Sequence, residues 1–395
     1  MKKFVMVTLF IVSFSVFSET AIPPAGSGTQ LDPYRIASLE NLYWIAADPS
    51  RWSNFYTQTA DIDASSTSGW FSGAGWSPIG SSLINFLGSY DGQNHTIDGL
   101  FINRNTADNQ GLFGVVGYQA SVLNIGVTNV NISGKDFVGA LAGILSNASN
   151  CYTTGTVNGE LYVGGITGRV YEGMVIECYS ACVVNSSLLY AGGFAGAVLN
   201  IVENCYSTGD VNGNLDFGGF VGYIGLDGDI RKCYSTGLIN QEGGPFGGFA
   251  WKNDGIVDST FWDVETSGVS YSDGGTGKIS NLMKTGSTYT NAGWDFSTVW
   301  GIDTAKNNGY PYLIWQYSSL GTPADFNIVY TSGQSQFTWS KAAKATSYKI
   351  YSAPDPYAAF PTGWTLEVSG VTTTTWTDTN ASASEKKFYV VVAVN

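Results

Sequence analysis

The sequence predicts an all-β protein in which a parallel β-helix, or solenoid, is followed by a β-sandwich. Three observations support this prediction. Glycine makes up 50 of the 395 residues and charged residues only 12%, a composition typical of β structure with many tight turns. A cysteine-containing motif recurs at intervals of 27, 27 and 28 residues. After Phe326 this repeat gives way to short strands of alternating polarity.

An export signal is predicted in residues 1–18. Two lysines precede an apolar run from Phe4 to Phe17, and Ser18 supplies the small residue expected at a cleavage position. The run is shorter than the ~20 apolar residues that a membrane-spanning helix needs. We therefore expect a protein that is secreted or held at the cell surface, with no integral membrane segment after the signal is removed.

The segment 19–83 is expected to form the N-terminal cap and the first coil. Within Ile36–Asp48, Ser38 precedes a run whose apolar residues recur at helical spacing. Serine is a favoured N-cap residue, so the sequence predicts a short capping helix over the open end of the β-helix. The apolar face of this helix is predicted to comprise Leu39, Leu42, Tyr43 and Ala46.

Residues 84–262 contain the repeats. Each full copy has a Cys-Tyr-Ser/Thr group and, later in the coil, a Gly-Gly pair. A period of this length without helical periodicity suits one coil of three short strands. Because side chains alternate along a strand, each cysteine and the apolar residue six positions later are predicted to point inward. These residues are Cys151, Cys178, Cys205 and Cys233, with Val157, Val184, Val211 and Ile239.

Two corners are predicted in each coil. The apolar residue three positions before each cysteine is out of phase with the alternation. A corner at the position of Asn150 and Asn204 would reset the phase, so that both apolar sets face the core. The Gly-Gly pair is assigned to a second corner, where glycine supplies unusual dihedral angles or room for a close backbone approach.

These motifs resemble those of GLUG-motif proteins, which are exported bacterial repeat proteins. The resemblance covers residues 30–318 and includes GSYDGQNHTIDGLFINR (Gly88–Arg104), GLFG at Gly111 and GYPYLIWQ ending at Gln316. It implies a right-handed parallel β-helix with a surface or adhesin-like role. Some relatives carry a zinc peptidase whose His-Glu-x-x-His motif needs two histidines. This chain has only His95, so the peptidase function is not expected here.

The segment 263–318, rich in tryptophan and tyrosine, is expected to cap the C-terminal end of the β-helix. Residues 319–395 then show six short strands separated by turn residues. This pattern predicts an immunoglobulin-like β-sandwich.

Two stretches of this last segment, Phe337–Ala353 and Lys387–Val394, resemble a bacterial fibronectin type III domain. The resemblance implies that Trp339 and Tyr348 point inward. A seventh strand would begin where the sequence stops, at Asn395. The corresponding sheet edge is therefore expected to be bare or filled by another molecule.

The recurring Cys-Tyr pair permits three interpretations of its thiol. A reactive thiolate needs a positive neighbour and partial exposure, and no histidine lies beside these cysteines. We expect buried side chains that form a structural ladder, with occasional disulfides as the alternative and catalysis as the weakest hypothesis. The tyrosines are expected to point outward, where they stabilise the solenoid or stack on sugar rings or on a partner. This ladder comprises Tyr152, Tyr179, Tyr206 and Tyr234.

Carboxylates concentrate in the lead-in to the repeats. Asp61, Asp63, Asp91 and Asp98 are candidate calcium ligands, although aspartate in such turns is more often a turn former. No other metal, cofactor or catalytic residue is predicted. The sequence also offers no opposed carboxylate pair of the kind that glycoside hydrolysis needs.

The formal net charge of −13 disfavours nucleic acid as a partner. Repetition without a unique polar cluster is typical of scaffolds rather than of enzymes. The sequence therefore predicts an exported, non-enzymatic protein for surface adhesion, for a matrix, or for binding an extracellular glycan or surface protein. The alternative is a carbohydrate-active β-helix enzyme, either a polysaccharide lyase or a hydrolase.

Overall fold

The main body of the molecule is a β-solenoid built from three parallel sheets, as the repeat predicted. The structure is a computed structural model. It describes residues 19–241, 243–317, 324–331, 334–340, 342, 345, 347–357, 361–379 and 387–394. The predicted export signal lies outside these described residues.

Sheet 1 has nine parallel strands. Its inward apolar residues stack in register, as Ala148 does with Val175 and Val175 with Val202. The strands are Tyr34–Ile36, Phe55–Gln58, Ser89–Asp91, Ser121–Leu123, Ala148–Ser149, Met174–Ile176, Ile201–Glu203, Asp229–Arg231 and Ile256–Asp258.

Sheet 2 has fifteen strands and carries the tyrosines. Two of its strands are long, and in most other coils this face is divided into two or three short strands. The strands are Ile62–Asp63, Thr96–Asp98, Phe101–Asn103, Gly126–Ser133, Asp136–Gly139, Tyr152–Gly164, Tyr179–Gly192, Tyr206–Ser207, Val211–Gly213, Phe217–Gly218, Tyr234–Ser235, Ile239–Gln241, Phe246–Gly247, Phe261–Asp263 and Thr276–Lys278.

Sheet 3 has six strands, and each of them closes one coil. Between sheets 2 and 3, Phe194, Phe220 and Phe249 stack inside the solenoid with ring centroids 4.7 and 4.8 Å apart. The strands of sheet 3 are Phe113–Val115, Ala142–Leu145, Thr167–Val170, Ala195–Val198, Val221–Ile224 and Ala250–Asn253.

The inward residues predicted from the repeat are buried. Val157, Val184 and Val211 are fully buried, as is the out-of-phase residue Val175. The phase is reset between sheets 1 and 2 by one residue in the left-handed region, with φ between 50° and 54°. This position is occupied in successive coils by Asn124, Asn150, Glu177, Asn204, Lys232 and Ser259.

Of the two roles predicted for the Gly-Gly pair, the structure shows only one. At the second corner the left-handed residue is the one two positions before the pair, such as Tyr162, Tyr190 or Asp216, with φ of 55° to 60°. The glycines themselves are required for space, because a Cβ on Gly219 would lie 2.3 Å from the carbonyl oxygen of Gly248. The close-approach interpretation is therefore correct, and the dihedral interpretation is wrong.

A helix spans Leu39–Ala46, and the Ser38 side chain accepts a hydrogen bond from the Asn41 amide. Ile45 is buried on its inner face, whereas Tyr43 is only partly buried. The role of this helix as a cap over the solenoid end stays a prediction.

The other helices among the described residues are Val264–Ser267, Ser280–Met283, Gly286–Thr290 and Ile314–Tyr317, with 3₁₀ helices at Pro49–Arg51, Ser65–Gly73 and Asn307–Gly309.

Residues 280–317, which we call the strap, run along the side of the solenoid. The strand Thr276–Lys278, just before the strap, extends sheet 2 at its end. The strap holds the antiparallel pair Trp300–Gly301 and Tyr312–Leu313 and packs its aromatic residues against sheet 2. The segment predicted to cap the end therefore covers a lateral face as well.

The C-terminal part contains two three-stranded antiparallel sheets. Trp339 and Tyr348 lie in one buried cluster with their rings 5.2 Å apart. The fibronectin type III assignment stays a prediction. The strands are Ala324–Thr331, Gln334–Ser340 and Thr375–Asp378 in one sheet, and Ser347–Ala353, Thr365–Val371 and Phe388–Val394 in the other.

Candidate functional site

Four tyrosines stack on the outer face of sheet 2. In-register pairing of the strands places Tyr152, Tyr179, Tyr206 and Tyr234 in one column. Their ring centroids are 5.1, 4.8 and 4.9 Å apart, and neighbouring ring planes differ by at most 8°. The column follows directly from the strand spacing of a parallel sheet.

The strap covers one end of this column. Tyr206 is 2% and Tyr234 0% exposed. The Tyr234 hydroxyl donates to the Pro311 carbonyl oxygen at 2.5 Å, and Gln316 Nε2 donates to the Tyr206 hydroxyl at 2.7 Å. Burial raises the pKa of each of these two phenols well above the ordinary value of a tyrosine. The prediction that the whole ladder faces solvent is therefore wrong for these two residues, because the strap packs on them.

A cleft remains where the covered part of the column ends. Trp315 lies beside the two partly exposed tyrosines, with its ring centroid 6.2 Å from Tyr152 and 5.9 Å from Tyr179. The Trp315 indole N–H donates to the Glu177 carbonyl oxygen at 3.0 Å, which fixes the ring. The three rings and Gln316 border a cavity of about 120 Å³.

A row of asparagines forms another wall of this cleft. Asn94, Asn124 and Asn150 occupy successive left-handed corners beside the tyrosine column. Asn150 Nδ2 donates to Asn124 Oδ1 at 3.1 Å, and Asn124 Nδ2 donates to Asp91 Oδ1 at 2.9 Å. These bonds hold the carboxamides in fixed orientations, and each amide nitrogen has a second hydrogen to donate.

The cleft presents neutral groups. All eight lining residues are asparagine, glutamine, isoleucine or aromatic. Burial raises the pKa of the Tyr152 phenol, and the carboxylates of Asp61 and Asp98 raise it further. The phenol is therefore a neutral hydrogen-bonding group at physiological pH. Aromatic rings beside oriented carboxamides suit a ligand with an apolar ring face and many hydroxyl groups.

The sequence pointed to only part of this site. The repeat predicts an exposed aromatic ladder that includes Tyr152 and Tyr179, but it indicates neither Trp315 nor the asparagine row. Trp315 stands in the quoted motif GYPYLIWQ, whose contacts are made with coils far earlier in the chain. The asparagines were recognised only as corner residues, and their positive φ explains their choice independently of any ligand.

The cysteines form a second column, inside the solenoid. All five are free and buried. The amides of Cys151 and Cys178 donate to the Sγ of the next cysteine along the ladder, at 3.4 Å in both pairs. Burial raises the pKa of the Cys205 thiol well above its ordinary value, so a thiolate is disfavoured. This environment suits packing rather than nucleophilic chemistry.

The candidate calcium ligands are engaged locally. Asp61 Oδ1 accepts from the Thr96 amide at 2.8 Å and lies 3.2 Å from His95 Nδ1. Asp63 Oδ1 accepts from the Ser65 amide at 2.9 Å. Asp91 Oδ1 accepts from the Gln93 amide at 3.0 Å.

Asp98 is the fourth of these aspartates. It pairs in register with Asp63 on sheet 2, whereas Asp91 lies on sheet 1. Within the described part of the chain, no three histidine, cysteine, aspartate or glutamate side chains are grouped so that they could hold a metal ion.

Comparisons with known proteins identify the repeat. Residues 187–212 match the GLUG motif. The match begins within the strand Tyr179–Gly192 and ends within the strand Val211–Gly213, so the GLUG motif corresponds to about one coil of the solenoid. The chain is thus a β-solenoid that carries a GLUG motif.

Two relatives extend the comparison. The chain is 42% identical over 150 residues to Halomucin of Haloquadratum walsbyi, which covers 36% of this chain and 2% of that protein. It is 27% identical over 406 aligned residues to a putative Gly-rich membrane protein of Evansella cellulosilytica, which covers 75% of this chain and 46% of that protein. The chain therefore spans less than half the length of either relative. In the chain from residue 19 onward, no described helix is both long and apolar enough to cross a bilayer.

Proposed function

We propose that this protein is a surface-associated, non-enzymatic β-solenoid that binds neutral saccharide chains. The observation that supports this function best is the cleft formed by Tyr152, Tyr179 and Trp315. Its rings offer a stacking surface for the C–H face of a sugar, and its carboxamides offer donors and acceptors for hydroxyl groups. A neutral lining favours a ligand without charge.

The location at the surface is supported by the relatives and by the sequence. One relative is named Halomucin and another a membrane protein, and residues 1–18 have the pattern of an export signal. In this proposal the solenoid is right-handed and the C-terminal sheets form a fibronectin type III-like module that spaces or anchors it. An adhesive or matrix role would use the cleft as the contact with an extracellular glycan.

The cleft is tested by calorimetric titration with neutral oligosaccharides of matched length, namely maltohexaose, cellohexaose and xylohexaose. We expect at least one of them to bind. Tyr152→Ala and Trp315→Ala should each weaken that binding about tenfold or more, because stacking on a ring is lost. Tyr118→Ala is the control, since Tyr118 is 65% exposed and does not line the cleft.

Two results would contradict the proposal. One is the absence of binding by every glycan of a neutral array at millimolar concentration. The other is release of reducing ends or unsaturated products from a polysaccharide panel, which would favour the carbohydrate-active enzyme instead. Unchanged affinity in both cleft variants would place any saccharide site elsewhere on the molecule.

A further inference from the structure

A second aromatic column lies at the corner between sheets 2 and 3. Phe137, Tyr162 and Tyr190 occupy successive left-handed positions there. The rings of Phe137 and Tyr162 are 4.8 Å apart and differ by 2° in orientation, and those of Tyr162 and Tyr190 are 5.1 Å apart. All three rings are partly exposed, and the strap cluster does not include them.

One arginine lies against this column. Arg169 points outward from sheet 3, where it is in register with Ile144 and Ala197. Its Cζ is 4.8 Å from the Phe137 ring centroid and 4.9 Å from the Tyr171 ring centroid. The guanidinium is therefore held between two rings, a placement that favours a planar cation.

Arg169 differs from the other arginines of the chain in its polar contacts. All five arginines lie within the described residues. Arg35 and Arg231 pair with Asp32 and Asp229. In the region the structure describes, the Arg169 side chain makes neither a hydrogen bond nor an ion pair, and its Nε is buried without a partner.

The two remaining arginines have protein partners as well. Arg51 pairs with Asp48 and also donates to a backbone carbonyl group. Arg104 donates to the carbonyl oxygens of Trp76 and Gly75 at 3.0 and 3.1 Å. Arg169 is therefore the one arginine of the five whose donors have no protein acceptor among the described residues.

A partly buried cation without an acceptor is costly for the fold. Burial lowers the pKa of Arg169, and the neighbouring hydroxyl groups of Tyr162 and Tyr171 act in the opposite direction. No carboxylate contributes to this balance, although acidic residues outnumber basic ones by 31 to 18. The chain thus leaves a fixed guanidinium fork open where an acidic partner from another molecule can reach it.

We propose that Arg169, together with Phe137, Tyr162 and Tyr171, binds a carboxylate-bearing sugar, that is, a uronic acid unit within a glycan. The guanidinium would take the carboxylate as a bidentate pair. The aromatic column would accept the C–H faces of adjoining sugars. Because the net charge of −13 repels dense polyanions, the fitting ligand carries isolated acidic units on a largely neutral chain.

This site goes beyond the neutral cleft, since it lies on another face and selects another ligand. The test uses a matched pair of ligands in calorimetric titration: xylotetraose, and xylotriose that carries one glucuronic acid branch. We expect the acidic ligand to bind at least tenfold more tightly than the neutral one. Arg169→Gln should abolish that difference, and Arg169→Lys should retain part of it because the charge remains but the fork is lost.

The controls separate this site from the cleft and from a structural role of Arg169. Arg231→Gln removes a charge of the same kind elsewhere and should leave the preference unchanged. In a Tyr152→Ala background the preference should persist, even where neutral binding is lost. Equal affinities for the two ligands in the wild-type protein, or a preference that survives in Arg169→Gln, would overturn the proposal.

A third ligand tests which anionic group is recognised. Xylotetraose that carries a single sulfate should bind more weakly than the glucuronic acid ligand. Preference for the sulfated ligand would overturn the carboxylate assignment. If Arg169→Gln does not fold, Arg169→Lys and Tyr171→Leu provide the same comparison, and unchanged selectivity in both would contradict the proposed site.

Discussion

The backbone amide of Cys151 donates a hydrogen bond to the Sγ of Cys178, one coil further along the solenoid, at 3.4 Å. The same bond joins Cys178 to Cys205, and Cys205 to Cys233 at 3.3 Å. The sulfurs of Cys178, Cys205 and Cys233 therefore each satisfy an amide directly after the left-handed corner, where the chain turns from sheet 1 to sheet 2. The repeated cysteine is a polar partner for the backbone as well as a small apolar side chain.

Replacing one thiol of the ladder should lower the free energy of unfolding, because a backbone amide loses its acceptor. In Cys178→Ala the buried amide of Cys151 loses its acceptor, and we expect a loss of about 1–3 kcal/mol beyond that of the missing sulfur's packing. Cys182→Ala is the matched control, because it removes the same atom from a buried position outside the ladder. Chemical denaturation measures both, and equal losses of unfolding free energy would contradict the assigned role.

The corner position accounts for a second prediction. Glu177 has φ of 52°, a conformation that asparagine adopts at lower cost than glutamate. Glu177→Asn should therefore stabilise the protein by about 1 kcal/mol. Glu177→Gln keeps the longer side chain, and any gain common to both variants measures the removal of the charge alone. A destabilised Glu177→Asn would count against this account of the corner.

This effect should depend on pH. Burial, and then the charge of Glu203, raise the pKa of Glu177 above its ordinary value. A carboxyl group with a raised folded-state pKa contributes stability below its unfolded pKa, and that contribution is lost as pH rises through the folded pKa. The gain from Glu177→Asn should be larger at pH 7 than at pH 3.5. Thermal unfolding at the two pH values tests this sign.

The glycine pair gives a prediction about space. In Gly219→Val the new Cβ would meet the Gly248 carbonyl oxygen at 2.3 Å, so two coils must move apart. We expect a loss of about 1–3 kcal/mol or more, as overpacking does elsewhere. Gly286→Ala is the control, because its Cβ would meet only the Ile302 side chain at 3.7 Å. Equal melting temperatures for the two variants would exclude the close-approach explanation.

The strap gives a prediction about local stability. Trp300 is fully buried, and its indole N–H donates to Asn204 Oδ1 at 3.1 Å. Trp300→Ala should release the strap at a cost of about 3–5 kcal/mol while the solenoid core stays folded. Hydrogen exchange should then rise in the strap and at Tyr206 and Tyr234, but not in sheet 3. Cooperative unfolding of all three sheets in this variant would contradict a separable strap.

Features that recur in every coil could be predicted from the sequence. Val157, Val184 and Val211 have equivalent surroundings in successive coils. Comparing the four copies of the cysteine motif therefore indicated which residues face the core. The phase mismatch at Val175 indicated a corner, because no unbroken strand could bury both Val175 and Cys178. The period of the coil was therefore sufficient to predict which residues of the repeat form the core.

Features that occur once could not be predicted in this way. Trp315 contacts Glu177 across 138 positions of sequence, and no local pattern indicates such a partner. Arg169 occupies a position that is Ile144 and Ala197 in neighbouring coils. The neighbouring coils therefore give no indication of an arginine at this position. Its side chain is recognised as a candidate site only because no described residue accepts a hydrogen bond from it.

Three indoles of the strap bind to the solenoid in reverse order of the coils. Trp294 donates to the Ser259 carbonyl oxygen, Trp300 to Asn204 and Trp315 to Glu177. Coils can stack on their predecessors as the chain emerges during synthesis, since each needs only its neighbour. The lateral face, however, cannot be completed until the last indole has emerged. We therefore expect the strap to pack on the tyrosine column only after the coils beneath it have formed, with the contact at Ser259 available first and the contact at Glu177 last.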